Sequence, residues 1–229
     1  NGFRGWAAGM RCSRCGLYEG ATVLDMIKVD PCNGSHDFKQ EAGDAKLLEF
    51  LYKNQHHTPF EMCELALEVQ APIMVFREWH RHRTQSFNEF SARYAQMPNL
   101  HYLPEVERFQ KQSTTNKQGS GSPFLPDTAD DFRADLGQEQ AAIYSSYDEM
   151  VKLGLAKEVA RLNTPISRYS KMRVKTDLRN WFGFLNLRMR PNAQWEIRQY
   201  ADAVASIVRI IWPRSYALFL EYDLHGVRL

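Results

Sequence analysis

The sequence predicts a helix-rich α+β fold: a single domain with a small, mostly antiparallel sheet flanked by long helices. Three observations predict it. Only two segments, 63–69 and 170–175, alternate strictly between the two faces of a half-buried strand. Several longer segments carry apolar residues three and four apart, the period of an amphipathic helix. With 229 residues, 44% of them hydrophobic, the chain can bury one sizeable core, and no internal repeat divides it.

Residues 1–43 are Gly-rich and poorly periodic, and no element is assigned to them. From Asp44, "DAKLLEFLYKNQ" reads as a short helix with Leu47, Leu48 and Leu51 on one side. "CELALEV" follows, with Cys63, Leu65, Leu67 and Val69 on one face and Glu64, Ala66 and Glu68 on the other. Pro72 suits the first turn of a helix through "IMVFREWHRH". "STTNKQGSGSP" (113–123) reads as a polar surface loop; it lacks the third glycine and the preceding strand of a dinucleotide fingerprint. A long helix runs from Thr128 to Leu153, opened by a Thr128-x-x-Asp131 capping box, with Phe132, Leu136, Ile143, Tyr147 and Met150 as its stripe. A short helix over "KEVARL" stops before Pro165. The second strand, "SKMRVKT", sets Ser170, Met172 and Val174 against Lys171, Arg173 and Lys175. Asp177 caps the next helix, "LRNWFGFLNLR", and "QWEIRQYADAVASIVRIIW" forms a strongly amphipathic helix ended by Pro213.

Composition narrows the function classes. A formal net charge of +2 gives no global case for nucleic-acid binding, so any anion site must be local. Arg outnumbers Lys by 19 to 10, which favours planar, bidentate recognition of phosphate or carboxylate. Cys12 and Cys15 have the spacing of half a zinc site, but only Cys32 and His36 lie near to complete it; the expectation is no metal and four reduced thiols, Cys12, Cys15, Cys32 and Cys63, in a cytoplasmic protein. No stretch is apolar and long enough to span a membrane, and no signal-peptide h-region is visible.

The stretch "RHRTQSFNEFSARY" (81–94) concentrates Arg81, Arg83 and Arg93 with His82, Ser91 and Glu89, and has no lysine. On a continuing helix Arg81 and Arg83 would lie ~200° apart, so they belong at a helix end or loop where they can surround a ligand. One reading is a solvated surface with salt bridges to Glu78, Glu89 and Glu61. Against it stand Trp79, Phe87, Phe90 and Tyr94, which interleave with the arginines. That mixture suits a flat, phosphorylated ligand, with a ring to stack and a phosphate to clamp. Ser91 lacks a nucleophile elbow, and the neighbouring arginines disfavour the imidazolium that His82 would form as its base. Ser91 therefore reads as a hydrogen-bond donor to a ligand.

Arg81-His82-Arg83, seven residues, then Ser91 resembles the signature of the flavin-dependent thymidylate synthases, the ThyX family. "HTPFE" (57–61), "SFNEFSARY" (86–94), "EVARLNTP" (158–165), "FLNLR" (184–188) and "AQWEI" (193–197) match the family in order and spacing, over roughly residues 44 to 222. The resemblance implies a ThyX-like fold, with a thymidylate synthase domain at 44–229. It also implies methylation of dUMP to dTMP, with methylenetetrahydrofolate as carbon donor, FAD as hydride source and NADPH as its reductant. Such chemistry belongs mostly to the cofactor, which removes the need for a nucleophilic cysteine. It implies a homotetramer with shared active sites and neither nucleic acid nor membrane as partner; a non-catalytic nucleotide or RNA binder on the same scaffold is the rival class.

By resemblance, Thr58, Arg81, His82, Arg83, Glu89, Asp177, Leu178, Arg179 and Gly183 contact FAD. Glu78, Trp79, His80 and Arg81 reach the dUMP of a partner subunit. Glu89, Phe90, Ser91, Ala92 and Arg93 cradle dUMP, with Arg161 completing the phosphate clamp. Arg188 faces the pyrimidine and stabilises charge developing on its N3 side. The chain departs from the family at four places: Glu78 stands where some members have Gln, Asp177 where some have Asn, Gly183 where a larger polar residue occurs, and Asn192 where His is common. No counterpart of the family's opening strand, with its Ala-Arg-Val-Ser-like segment, is recognised in residues 1–43.

Overall fold

Strict alternation builds the centre of the fold. In β2 (Glu64–Pro72) Leu65, Leu67, Val69 and Ala71 are wholly buried, and in β6 (Tyr169–Asp177) Ser170, Met172, Val174 and Thr176 are buried in the same alternating way. Each large apolar side chain removed from water in this way contributes about 1.5–3 kcal/mol. The outward faces carry opposite charges that meet: Lys175 Nζ lies 2.6 Å from Glu64 and Arg173 Nε 3.6 Å from Glu68. The computed structural model describes residues 27–29, as backbone, and 43–224. Its elements are β1 (Ile27–Val29), α1 (Asp44–Lys53), α2 (Thr58–Glu61), β2, α3 (Ile73–Trp79), β3 (Ser86–Glu89), β4 (Gln110–Gln112), β5 (Ser120–Pro123), α4 (Pro126–Lys152), α5 (Lys157–Ala160), β6, α6 (Leu178–Arg188), α7 (Trp195–Ile211) and α8 (Pro213–Phe219). The strand order β1-β2-β6-β3 and the separate β4-β5 pair confirm the helix-rich α+β class.

Contacts divide the chain into two compact units interleaved in sequence. The first takes in residues up to Gln70, Trp79–Asn88 and Met172 onward; the second takes Ala71–Glu78 and Glu89–Lys171. In the first unit α7 supplies the main helical face: Ile197, Tyr200, Ala201, Val204, Val208 and Ile211 are buried at helical spacing. Tyr200 donates its hydroxyl to the Gln70 carbonyl at 3.1 Å, and Trp181 of α6 donates Nε1 to the Leu65 carbonyl at 3.3 Å, so both helices are tied to β2. In the second unit Tyr147 of α4 packs with Ala92, Met97 and Ala160, and its hydroxyl accepts from Met97 N at 3.0 Å. Gln140 Nε2 reaches the Tyr102 carbonyl and Ser167 Oγ, both at 3.0 Å. The second unit's long helix ends in a paired turn: Gly154 N bonds to Val151 O and Leu155 N to Met150 O, both at 3.0 Å, with Gly154 at φ +88°. Only glycine takes that left-handed position without a Cβ penalty.

Several expectations need correction. Ile27–Val29 forms a strand, with Ile27 opposite Val69 in an antiparallel register, inside the segment to which the sequence assigns no element; three residues are too few to show a period. Pro72 ends β2 rather than opening a helix, and α3 begins at the next residue. The long helix starts at Pro126 with Leu125 as N-cap and no side-chain cap bond, so Thr128 and Asp131 form no capping box; Pro is already preset for the first turn. Phe132 of its expected stripe is 45% exposed and packs on Phe124. In α1 it is Tyr52 that is buried, while Leu47 is exposed. Ser120–Pro123 is a strand of the β4-β5 hairpin, not loop. Pro213 ends α7 and also opens α8. Asp177 does cap α6: its Oδ1 accepts from Asn180 N at 2.9 Å.

Candidate active site

α3 ends at Trp79, and Arg81-His82-Arg83 lies in the turn that follows, as the helix-face argument requires. This turn is anchored from below. Trp79 is fully buried, stacked on Phe184 with ring centroids 4.6 Å apart, and donates Nε1 to Gln85 Oε1 at 2.8 Å. Thr176 of β6 donates its hydroxyl to the Thr84 carbonyl at 3.3 Å. Between these anchors His82 sets its ring edge-on to Phe184 at 4.9 Å, and Arg188 Nε approaches its Nε2 at 3.0 Å. Burial and the Arg188 charge lower the His82 pKa to about 4, so the ring is neutral near pH 7. His80 turns to Met172 Sδ at 3.2 Å and to the Phe87 ring. Arg81 and Arg83 are exposed, and among the described residues neither has an ion pair, which weighs against the salt-bridged surface. The buried Trp79 side chain belongs to the core, so any ligand contact at that position falls to its main chain.

A second feature of the same unit is a cavity of about 310 Å³ lined by Tyr52, Phe60, Arg179, Phe182, Gly183 and Asn186, among others. Tyr52 donates its hydroxyl to Asp223 at its rim. Arg179 is paired with Glu61 at 2.6 Å. Gly183 leaves one wall bare: a Cβ there would meet nothing within 4 Å. Of the residues expected at the flavin, Arg179 and Gly183 line this cavity. Thr58 opens α2 between the lining residues His57 and Phe60. The Asp177 carboxylate is engaged by Asn180, through N and, at 2.6 Å, through Nδ2.

The second unit carries the Glu89–Arg93 segment. Phe90 N bonds to the Lys171 carbonyl at 2.8 Å, and the amides of Tyr94 and Ala95 turn back to the Ser91 carbonyl at 3.2 and 3.3 Å. Ser91 Oγ accepts from Arg93 N at 3.4 Å. Ala92 and Ala160 share one core cluster, which brings this turn beside the Glu158–Arg161 segment. Arg93 then pairs with Glu158, Nε at 3.1 Å and Nη2 at 3.0 Å. Arg161 is half-buried in the next turn. An open depression of about 450 Å³ is lined by Arg93, Tyr94, Lys157 and Glu158.

Sequence reasoning missed three residues here, Gln85, Glu158 and Arg168. Gln85 and Glu158 carry the anchoring bonds just described, and Glu158 stands inside a family-like segment, three residues before Arg161. Asn186 was not missed: seven residues from Arg179, it falls on the same face of α6 by helical spacing, and both line the cavity. Arg168 is 8% exposed, and among the described residues its Nε has no hydrogen-bond partner. Burial lowers its pKa, while nearby Glu89 and Tyr147 raise it and Arg161 lowers it. No pattern in the sequence distinguishes Arg168 from a surface arginine. The half-site at Cys12, Cys15, Cys32 and His36 lies outside the described residues, and no described helix is long and apolar enough to cross a membrane.

Residues 20–214 match the family model described as "thymidylate synthase complementing protein". The match begins before residue 44, so it reaches into the segment left unassigned from sequence. A flavin-dependent thymidylate synthase of Wolbachia pipientis wMel is 43% identical over 225 residues, covering 92% of this chain and 79% of the relative. One from Thermus thermophilus is also 43% identical, covering 81% and 67%. Among solved structures, the UMP/dUMP methylase PolB of Streptomyces cacaoi, bound with 5-Br UMP, superposes with a TM-score of 0.74 at 28% identity, covering 79% of this chain and 84% of that one.

Proposed function

The chain belongs to the thymidylate synthase complementing protein family, the flavin-dependent thymidylate synthases, and from that premise we infer that it methylates dUMP to dTMP. The carbon comes from methylenetetrahydrofolate as a methylene, which becomes a methyl group only on gaining two electrons. FAD, when bound and reduced by NADPH, supplies them as a hydride. What remains for the protein is binding, orientation and electrostatics.

The residues fit the cofactor. Aromatic walls from Tyr52, Phe60 and Phe182, a bare Gly183 and the Arg179 guanidinium make a cavity that suits one ring system of FAD, not the whole dinucleotide. Thr58, Arg81, His82, Arg83, Glu89 and Asp177 complete its contacts in this reading, with the two exposed arginines taking the pyrophosphate. Ser91, Arg93 and Arg161 hold the dUMP phosphate, with Glu89, Phe90 and Ala92 around the nucleoside. Arg188 places a fixed cation where the pyrimidine gains negative charge, which lowers the barrier directly. Glu78, Trp79 and His80 approach the nucleotide of another subunit, Trp79 through its backbone.

The observation that carries the reading is the family match over residues 20–214 with the whole Arg-His-Arg and Ser91 signature in place. The test is direct. Purified protein should be yellow, and should oxidise NADPH and form dTMP when given dUMP and methylenetetrahydrofolate. A yellow, folded preparation that makes no dTMP overturns the reading, and a colourless one that binds RNA favours the rival class.

The working form is a homotetramer in the cytoplasm, with no nucleic acid or membrane partner. Exposed Leu187 and Trp195, which flank the end of α6, support a surface covered by another copy. If Ser91 and Arg188 reach one dUMP from different chains, refolding Ser91→Ala and Arg188→Ala chains together should restore native pairs at roughly a quarter of sites. A mixture no more active than its parents, with mixed tetramers present, places both residues on one chain.

A further inference from the structure

Arg188 is the last residue of α6, and its Nε lies 3.0 Å from His82 Nε2. A guanidinium has no acceptor, so Arg188 must donate and His82 Nε2 must offer a lone pair. The ring is therefore neutral, with its proton on Nδ1. Its low pKa, caused first by burial and then by Arg188, agrees. The ring cannot swing freely, because it packs edge-on against Phe184, which is itself fully buried and stacked on Trp79.

We propose that His82 is a positioning residue: it accepts the Arg188 Nε hydrogen bond and so fixes the plane of the guanidinium before the nucleotide arrives. The proposal rests on the reading of Arg188 as the cation that acts on the pyrimidine. A bond at Nε fixes rotation about the end of the arginine side chain, and thereby the direction in which its terminal nitrogens point. A cation held in place needs no reorganisation when charge develops beside it. This gives the central residue of the Arg-His-Arg signature a task different from that of its two neighbours. They are exposed and open to an anion; it is half-buried and faces an arginine of its own chain.

Two substitutions in the FAD-loaded, full-length enzyme separate positioning from packing. His82→Phe keeps a ring against Phe184 and removes the acceptor. His82→Gln loses the ring and sets an amide oxygen near the place of Nε2. If His82 positions Arg188, His82→Phe lowers kcat about tenfold to a hundredfold, the range for losing a charge-assisted hydrogen bond, while KM for dUMP changes little. His82→Gln then retains most of kcat. In an Arg188→Ala background, His82→Phe costs nothing more. Because His82 is also read as a flavin contact, kcat of each variant is expressed per bound flavin, read from its absorbance. The proposal is overturned if His82→Phe keeps full kcat per bound flavin, if Gln is as damaging as Phe, or if the two substitutions are additive. Should His82→Phe not fold, His82→Leu removes the acceptor with less bulk and is judged the same way. A wild-type enzyme that forms no dTMP sinks the functional reading instead, a distinct outcome.

Discussion

The loop that carries Arg81-His82-Arg83 and the loop that carries Phe90 to Tyr94 are held in opposite ways. The first hangs from a fully buried tryptophan, a buried glutamine and a histidine–arginine hydrogen bond. The second is held by tight backbone turns, one small buried residue, Ala92, and one ion pair between half-exposed side chains. Packing fixes a position to a fraction of an ångström, because a dense interior tolerates little displacement. An exposed ion pair fixes little, because water and salt screen it. The difference matches the proposed tasks. A cation that must meet charge appearing on a ring gains from rigidity, whereas an arginine that takes up a phosphate must be able to exchange Glu158 for the ligand.

The sharpest way to break this contrast is to remove one aromatic ring beside the first loop and one from the second. Trp79→Ala should cost about 3–5 kcal/mol of stability, the usual range for emptying a buried tryptophan site. Tyr94→Ala, at a side chain 78% exposed, should stay within about 0.5 kcal/mol. Chemical denaturation of both variants checks it, and comparable losses erase the distinction.

Acid offers an intermediate test. His82 is held neutral, with a folded pKa of about 4 against an ordinary value near 6.5. The unfolded chain thus binds a proton between those values that the folded chain refuses. The His82 contribution to stability is complete above about pH 6.5 and is lost as pH falls toward about 4. His82→Phe has no such proton, so its melting temperature should fall less than that of the wild type between about pH 7 and pH 4.5. His101, also lowered by burial and by Arg168, is present in both proteins and cancels. Parallel curves would mean that the fold does not hold the His82 pKa below its ordinary value.

The smallest effect belongs to the exposed loop. Glu158→Gln removes the negative charge paired with Arg93 but should change stability by only about 0.2–1 kcal/mol, and less at high salt. A larger, salt-independent loss would place the pair among the rigid contacts after all.

Much of this is legible in the sequence where a period or a cap speaks for itself. The alternations at 63–69 and 170–175 correspond to the buried faces of β2 and β6, Asp177 caps α6, and the arginine stretch leaves its helix where the angular argument requires. Shorter elements are silent: three- and four-residue strands such as Ile27–Val29 and Ser120–Pro123 take their shape from a partner strand, not from their own pattern. For the candidate site, residue types are readable but partnerships are not. Nothing in the spacing of His82 and Arg188, 106 positions apart, says that they touch. Likewise, Trp79 reads in sequence as a stacking platform among arginines, and only its burial reveals a foundation.

β2 passes into α3 at Pro72 and Ile73, and β6 into α6 at Asp177 and Leu178, with no linker at either junction. One residue inserted there would rotate the following helix by ~100° and swing Trp79 or Arg188 out of place. One residue gained or lost within either strand would exchange its buried and charged faces. The turn between β4 and β5, residues 113–119, is under no such constraint. Length variation among relatives should therefore collect in that turn and be purged from both junctions, and an epitope or fluorophore grafted onto this enzyme belongs at the same place.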